Sequence, residues 1–359
     1  MRGWYQWALI RLLWHTLFVI LASPQVTESK TESTLLIFNT REDLLRGDIW
    51  ETISLEEVKK YIYTFPDDFQ VIGIGTTNKL HHMGQVVLRG SARKTNPLWF
   101  APEYPYQVKH EYIEDFPWLQ LAIVDPQDKL VLNLKKTKDL HSALVERLHK
   151  NGINICAAYI EAIAGKVEYN LTNWIPKRGL GKHELDGKSS LSQAFKDVES
   201  AKWVFFGIYL DEQTAGPCCT VQGQPLLIIG YNLEKKNGGL VQSARINDAR
   251  VELYPIGACL VFQSDLKVVD VLVSESKVTI DIENAGEMTA EHVSVRLKFP
   301  ESNREMDVTL PSLKPSEKKN VVFRPQEALS DKHILVQIDP DNEIFESNED
   351  NNLYEKKFP

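Results

Sequence analysis

The chain lacks an apolar run long enough to cross a bilayer. A membrane helix needs about 20 apolar residues in succession, and the most apolar stretch, Leu12 to Ala22, is shorter, preceded by Arg11 and broken by His15. Cysteine is scarce: Cys156, Cys218, Cys219 and Cys259 are the four in 359 residues, and none forms a Cys-x-x-Cys pair. A zinc site built from these thiols is therefore not expected. Long blocks of one charge sign are absent too. The net charge of -8 is spread along the chain, which argues against nucleic acid or an anionic membrane surface as a partner. Lys135-Lys136 and Lys356-Lys357 read as solvated surface. Gly73-x-Gly75 has no third glycine, no following helix and no βαβ frame, so it is not a dinucleotide loop.

What is present is ordinary for a globular protein of about two domains: 43% hydrophobic and 25% charged residues. Residues 1–25 read as a secretory signal peptide, with an uncleaved signal anchor as the competing reading. Beyond that anchor no membrane span is expected. Export implies an oxidising compartment, so disulfides among Cys156, Cys218, Cys219 and Cys259 are expected, with connectivity left open. A vicinal Cys218-Cys219 bridge would be strained. Asn170-Leu171-Thr172 is the one glycosylation sequon.

Along the chain, Leu35 to Asn39 predicts a strand and Arg41 to Arg46 a helical turn. Ser54 with Glu57 is a capping box that opens a helix. Val71 to Thr76 and Gln85 to Leu88 predict strands. Asn96 to Pro117 reads as an irregular loop, Trp118 to Val124 and Leu130 to Leu134 as strands, and Asp139 to His149 as an amphipathic helix. Ile153 to Ile163 predicts a strand turned at Gly165, with Lys166 to Thr172 returning. Ser189 to Glu199 predicts a helix, and Lys202 to Leu210 a strand.

The deciding stretch is Pro225 to Val251. Leu226 to Ile229 predicts a buried strand, Tyr231 to Asn237 a loop, and Gly238-Gly239 the turn into a second strand. This stretch, with Leu44-Leu45-Arg46-Gly47, Ser54-Leu55-Glu56-Glu57-Val58, Gly73-Ile74-Gly75-Thr76 and the turn Leu80 to Gln85, resembles the alpha-acetolactate decarboxylases over about residues 35–262. The resemblance implies a zinc held by His-x-His and Gly-Gly-His. Aligned on Gly238-Gly239, those histidines fall on Ile228, Gly230 and Leu240, none of which can ligate. The glutamate near the metal falls on Gln85, which has no titratable proton. The substrate-binding arginine falls near Asn173, which has no cation. The expectation is that Ile228 and Leu240 face one another, with Gly230 leaving a gap beside them.

From Leu266 the texture changes to short alternating segments: Val278 to Ile282, Val293 to Phe299, Met306 to Leu310, Lys319 to Phe323 and Ile334 to Ile338. These predict an antiparallel sandwich. The ending, Ile338 to Asn352, resembles the CARDB-type, immunoglobulin-like domains. Its Asp339, Asp341 and Glu343 are candidate calcium ligands; the alternative is that they cap a tight turn.

The expected class is α+β: a mixed-sheet, decarboxylase-like domain over residues 30–262, then a β-sandwich over 266–359. The expected protein is secreted and non-catalytic, a scaffold or small-ligand binder without cofactor, whose partner is an unknown small ligand or extracellular protein. The alternative is an active zinc enzyme, converting 2-acetolactate to acetoin and CO₂, with ligands displaced to His81, His82 or His110.

Overall fold

The computed structural model describes residues 31–39, 51–79, 82–100, 108–109, 115–174, 190–211, 225–274, 276–326, 333–344 and 346–357, and for 51, 77–79, 82–85, 95–100, 108–109, 115, 171–174 and 190–193 the backbone alone. The expected signal segment and the turn at Arg41 to Arg46 lie outside these residues.

Two sheets build the first part of the chain. One is mixed and seven-stranded. It contains β1 (Thr34–Phe38), β3 (Gln70–Lys79), β4 (His82–Ser91), β5 (Lys94–Phe100), β6 (Val108–Lys109), β8 (Trp118–Val124) and β15 (Ala258–Phe262). The order is β15-β1-β8-β3-β4-β5-β6, with β15 parallel to β1 and the other pairs antiparallel. The Asn96 to Pro117 stretch, expected to be irregular, thus contributes most of β5.

The other sheet is antiparallel. Its strands are β9 (Leu130–Thr137), β10 (Ile155–Trp174), β11 (Ser190–Asp197), β12 (Ala201–Leu210), β13 (Leu226–Asn232) and β14 (Gly238–Pro255). β10 pairs with β12 along its first half and with β11 along its second, while β14 follows its other edge. β14 also pairs with β13, and β13 with β12. The pairings β10-β12-β13-β14 therefore close on themselves.

Two expectations fail here. Gly165 does not turn the chain, because β10 runs through it as one 20-residue strand. Register shifts at Ile163/Ala164 and Ala164/Lys166 absorb the irregularity instead, as bulges bend a strand without ending it. Ser189 to Glu199 is not a helix but holds β11. Its ladder with β10 supplies the hydrogen bonds a helix would have made internally, and Phe195 stacks on Tyr169 at 5.4 Å.

Side chains alternate across each strand. Trp203, Phe205, Ile228 and Val241 fall into one cluster, which Leu140, Leu144 and Leu148 of α2 (Leu140–Lys150) join. Tyr159, Phe206, Leu227 and Ile229 fall into another, shared with Ile72, Ile74, Val87 and Trp118 of the mixed sheet. That second cluster is the layer between the sheets. The mixed sheet's far face carries α1 (Leu55–Ile62), whose capping box joins Ser54 and Glu57 as expected. Eight residues are too few for a helix to hold alone in water. Burial of Leu55, Val58 and Ile62, worth about 1.5–3 kcal/mol each, holds it.

The C-terminal part is a sandwich. β16 (Leu266–Ser274), β17 (Lys277–Asn284) and β20 (Lys318–Phe323) form one sheet. β18 (Thr289–Phe299), β19 (Arg304–Leu313), β21 (His333–Ile338) and β22 (Leu353–Lys357) form the other, and all five expected strands fall within these elements. Inward residues such as Val278, Ile280, Val295, Leu297 and Val336 make its core. The first part reaches into this sheet: β2 (Glu51–Ser54) sets Thr52 against Thr289, then pairs with β7 (Asp115–Phe116). Met288 packs among the residues buried under α1.

Candidate functional site

The register of β13 and β14 decides which side chains could ever have converged on an ion. Ile229 stands opposite Leu240, and Gly230 opposite Gly239. Directly opposed residues of an antiparallel pair share a face, so Leu240 belongs with Ile229 and, two residues back, with Leu227. All three pack on the inter-sheet layer. Ile228 points the other way, into the cluster of Phe205 and Val241. The expected meeting of Ile228 with Leu240 is therefore wrong by one residue. Gly230 leaves no gap either: a Cβ there would lie 2.8 Å from both Phe205 Cδ1 and Val241 Cγ2.

The correction moves the site without restoring ligands. His-x-His followed by Gly-Gly-His can converge only from one face, and that face carries Leu227, Ile229 and Leu240. Branched alkyl side chains have no lone pair for zinc, so the residues present do not fit the metal. Gln85 and Asn173 lie on β4 and β10 opposite Thr76 and Leu191; their side chains lie outside the described set. So does the side chain of His82, and His81 and His110 lie outside the described residues altogether. Among the described residues no three His, Cys, Asp or Glu side chains cluster as a metal site.

The inter-sheet layer keeps polar atoms despite its alkyl lining. Thr76 and Trp118 are opposed on β3 and β8, and are 3% and 4% exposed. Thr76 Oγ1 and Trp118 Nε1 have no hydrogen-bond partner among the described residues. Each such atom costs about 1–3 kcal/mol when left unmade in an apolar place. Sequence reasoning placed Thr76 and Trp118 at the ends of two predicted strands and gave neither a role; what links them is the register between those strands.

A second polar group lies on the same layer, and its members are satisfied. The Arg89 guanidinium lies 3.6 Å from the centre of the Tyr159 ring, a stacked cation–π contact. Tyr159 Oη donates to Glu161 at 2.8 Å. Burial and then that hydrogen bond push the Tyr159 phenol above its ordinary pKa. Tyr254 Oη donates to Glu252 at 2.6 Å and approaches Gln70 at 3.2 Å. Its pKa is raised by burial first and Glu252 second. Burial opposes ionisation of Glu252, but hydrogen bonds from Tyr254 and Lys129 and the charge of Arg250 outweigh it and hold the carboxyl below its usual range. These groups neutralise one another and leave no obvious acid or base idle.

The loop between β13 and β14 is fixed from beneath. Asn232 accepts from the N–H groups of Glu234 and Lys235 and donates to Asp197 at 2.9 Å, while Lys235 Nζ meets Asp197 at 2.9 Å.

The remaining candidates lie apart from one another. Asp339 is buried; its Oδ2 accepts the N–H of Ile344 at 2.7 Å, and its φ is 45°. Asp341 lies 3.5 Å from Arg296, and Glu343 is exposed. The three do not form a calcium cluster; the turn-capping alternative describes Asp339. Asn170 is half-buried in β10, paired with Ala194 on one side and Leu240 on the other. Cys156 is a buried thiol not bonded to another cysteine. Cys259 is half-buried on β15, and Cys218 and Cys219 lie outside the described residues. Among the described residues no helix is long and apolar enough to cross a membrane.

The CARDB family model matches residues 261–356. Among solved structures, alpha-acetolactate decarboxylase from Bacillus subtilis strain 168 is similar at 14% identity and a TM-score of 0.47, over 64% of this chain and 88% of that one. A Staphylococcus aureus protein of unknown function, described as similar to alpha-acetolactate decarboxylase, matches at 12% identity and a TM-score of 0.46, over 64% and 88%. Acetolactate decarboxylase from Bacillus subtilis subspecies spizizenii matches at 15% and 0.46, over 64% and 89%. No curated protein sequence matches.

Proposed function

We propose that this chain is an exported, non-catalytic small-molecule binder. A domain like the alpha-acetolactate decarboxylases, residues 30–262, holds the ligand, and the CARDB-type sandwich, residues 266–359, attaches it to an extracellular partner. One juxtaposition carries the reading. Leu227, Ile229 and Leu240 line the layer in which Thr76 Oγ1 and Trp118 Nε1 are buried and have no hydrogen-bond partner among the described residues. Releasing CO₂ from a β-keto acid requires an electrophile to take the enolate charge, and these alkyl groups can neither supply one nor hold one. They can pack a compact ligand whose carbonyl or carboxylate oxygen accepts from the Trp118 indole and meets the Thr76 hydroxyl.

The test is metal analysis of the purified full chain together with a ligand titration. Zinc well below one per chain and no turnover of acetolactate at any pH are expected. With ¹⁵N-labelled indoles, 2-hydroxyisobutyrate should shift the Trp118 N–H saturably, and Thr76→Val should weaken that binding about tenfold, the loss of one hydrogen bond of about 1.4 kcal/mol. Stoichiometric zinc with turnover overturns the non-catalytic reading; an unmoved Trp118 resonance overturns the site.

A further inference from the structure

A cavity opens beside α2 where β13 and β14 part, and it shares Leu227 and Leu240 with the inter-sheet layer. Pairing between β13 and β14 ends at Ile229–Leu240. β13 pairs with β12 along its whole length, and β14 pairs with β10 from Leu240 onward. The two strands splay, and the first turn and a half of α2 stands across the opening. A cavity of about 320 Å³ results, its lining including His141, Ser142 and Val145 of α2 and Leu227, Ile228 and Leu240 of the strands. It lies within the size range of small-molecule sites and has room for up to roughly ten water-sized groups at ~30 Å³ each.

Among the described residues, His141 is the one titratable side chain in its lining. Asp139 caps α2, accepting from Ser142 N at 3.0 Å and Ser142 Oγ at 2.7 Å, and it also takes the backbone N–H of Ala244. That carboxylate is thereby occupied, and it repels an anion. His141 Nδ1 is buried and has no hydrogen-bond partner among the described residues. Burial, with Asp139 only partly opposing it, holds the imidazole below its ordinary pKa, so it is neutral at pH 7. A neutral imidazole has one donor nitrogen and one acceptor nitrogen. A hydroxyl both donates and accepts, so it satisfies Nδ1 in either tautomer.

We propose that this cavity binds a small, uncharged aliphatic alcohol, its hydroxyl on His141 Nδ1 and its alkyl body against Val145, Ile228 and Leu240. The site shares Leu227 and Leu240 with the layer between the sheets, but its polar group, His141, is not among the residues of that layer.

The probe is 1-hexanol, titrated into the full chain with isotope-labelled histidine. Saturable shifts confined to the His141 imidazole are expected, while His149, His292 and His333 stay still. Hexanoate, carrying a charge beside Asp139, should bind at least tenfold more weakly. His141→Phe keeps the ring and removes the nitrogen, and should weaken hexanol about tenfold; Val145→Trp fills the cavity and should abolish binding. Thr76→Val should leave hexanol binding unchanged, which separates this result from the fate of the inter-sheet site. The proposal is overturned if hexanol gives no saturable shift at His141, if hexanoate binds as well, or if folded His141→Phe binds unchanged. The wild-type titration needs no variant to fold, so it decides the location by itself.

Discussion

Ile229 and Leu240 stand directly opposite one another across β13 and β14, both turned to the layer between the sheets. Their pairing fixes the parity of the whole segment. Leu227 is with them, and Ile228 and Gly230 are on the reverse face, where Phe205 and Val241 already fill the space over the glycine. Gly230→Ala should therefore destabilise the protein by about 1–3 kcal/mol, the usual cost of overpacking a filled core. Urea unfolding of the two proteins checks it. An alanine that is neutral or stabilising would mean that a gap does exist beside Gly230.

The same parity marks what could be seen in the sequence. The strand from Leu226 and the capping box at Ser54 were legible, because apolar runs and caps are local chemistry; Gly238-Gly239 is not the turn, since both glycines open β14 opposite Tyr231 and Gly230 and the chain turns at Leu233 to Lys235. The face on which Leu227, Ile229 and Leu240 converge was not legible, because it depends on which residue opposes which, and a one-residue slip exchanges every side chain between faces. Ser190–Asp197 misled for a related reason. Its serines suggest an N-cap, but the strand is decided by β10, which lies ahead of it in the chain and offers a ladder. Gly165 looked like a turn because glycine marks turns and bulges alike. Thr76 and Trp118 show the limit most plainly: they are 42 residues apart by number and meet only through the register of β3 with β8.

Cys156 should be silent to thiol reagents in the folded protein. Burial pushes its thiol up to about 12, with a hydrogen bond from the Tyr254 backbone only partly opposing. Its Sγ lies 3.2 Å from the carbonyl of Ala157. At pH 8 roughly one molecule in ten thousand would carry the thiolate, which is the reactive form. Alkylation followed by peptide mapping should find Cys156 unmodified until the chain is unfolded in urea. Rapid labelling of the native protein would contradict its burial.

Glu346 should make stability fall as pH rises. It is 6% exposed and accepts from the Leu266 N–H and, at 2.8 Å, from Asn352 Nδ2. Burial raises its pKa to about 9, with repulsion from Glu349 and Asp339 adding to the shift and the two hydrogen bonds opposing it. Between the unfolded value of 4.5 and about 9, the folded chain holds a proton that the unfolded chain has lost. The stabilisation is therefore full below pH 4.5 and is lost progressively as pH climbs toward 9, by at most about 1.4 kcal/mol per pH unit. Glu346→Gln mimics the protonated form without titrating. Urea midpoints at pH 5 and pH 8 should differ less in the variant than in the wild type. Equal pH dependence in the two proteins would remove Glu346 as the cause.

The last prediction concerns where the chain can be cut. We propose a boundary between Phe262 and Leu266, with a sandwich able to fold on its own core, which contains Leu266 itself together with Val278, Val295 and Val336. The residues just past Phe262 belong structurally to the sandwich. Ser347 N donates to the carbonyl of Ser264 at 2.9 Å, Asn351 Nδ2 to Asp265 at 2.7 Å, and Leu266 N to the buried Glu346. A fragment beginning at Gln263 keeps all three contacts. One beginning at Val268 loses them, along with a fully buried leucine, and leaves the Glu346 carboxyl short of a donor. It should be less stable by at least about 3 kcal/mol, the cost of one deleted core side chain and one buried group left unmatched. The longer fragment will still be weaker than the sandwich in the intact chain, because Met288 is drawn from the core under α1 and Thr289 loses its strand partner Thr52. Circular dichroism and urea unfolding of the two fragments measure the difference. A Val268 fragment as stable as the Gln263 fragment would show that the acidic turn near the C-terminus does not hold the junction. A Gln263 fragment without a cooperative transition would place the boundary elsewhere and make β2 part of the sandwich's folding unit.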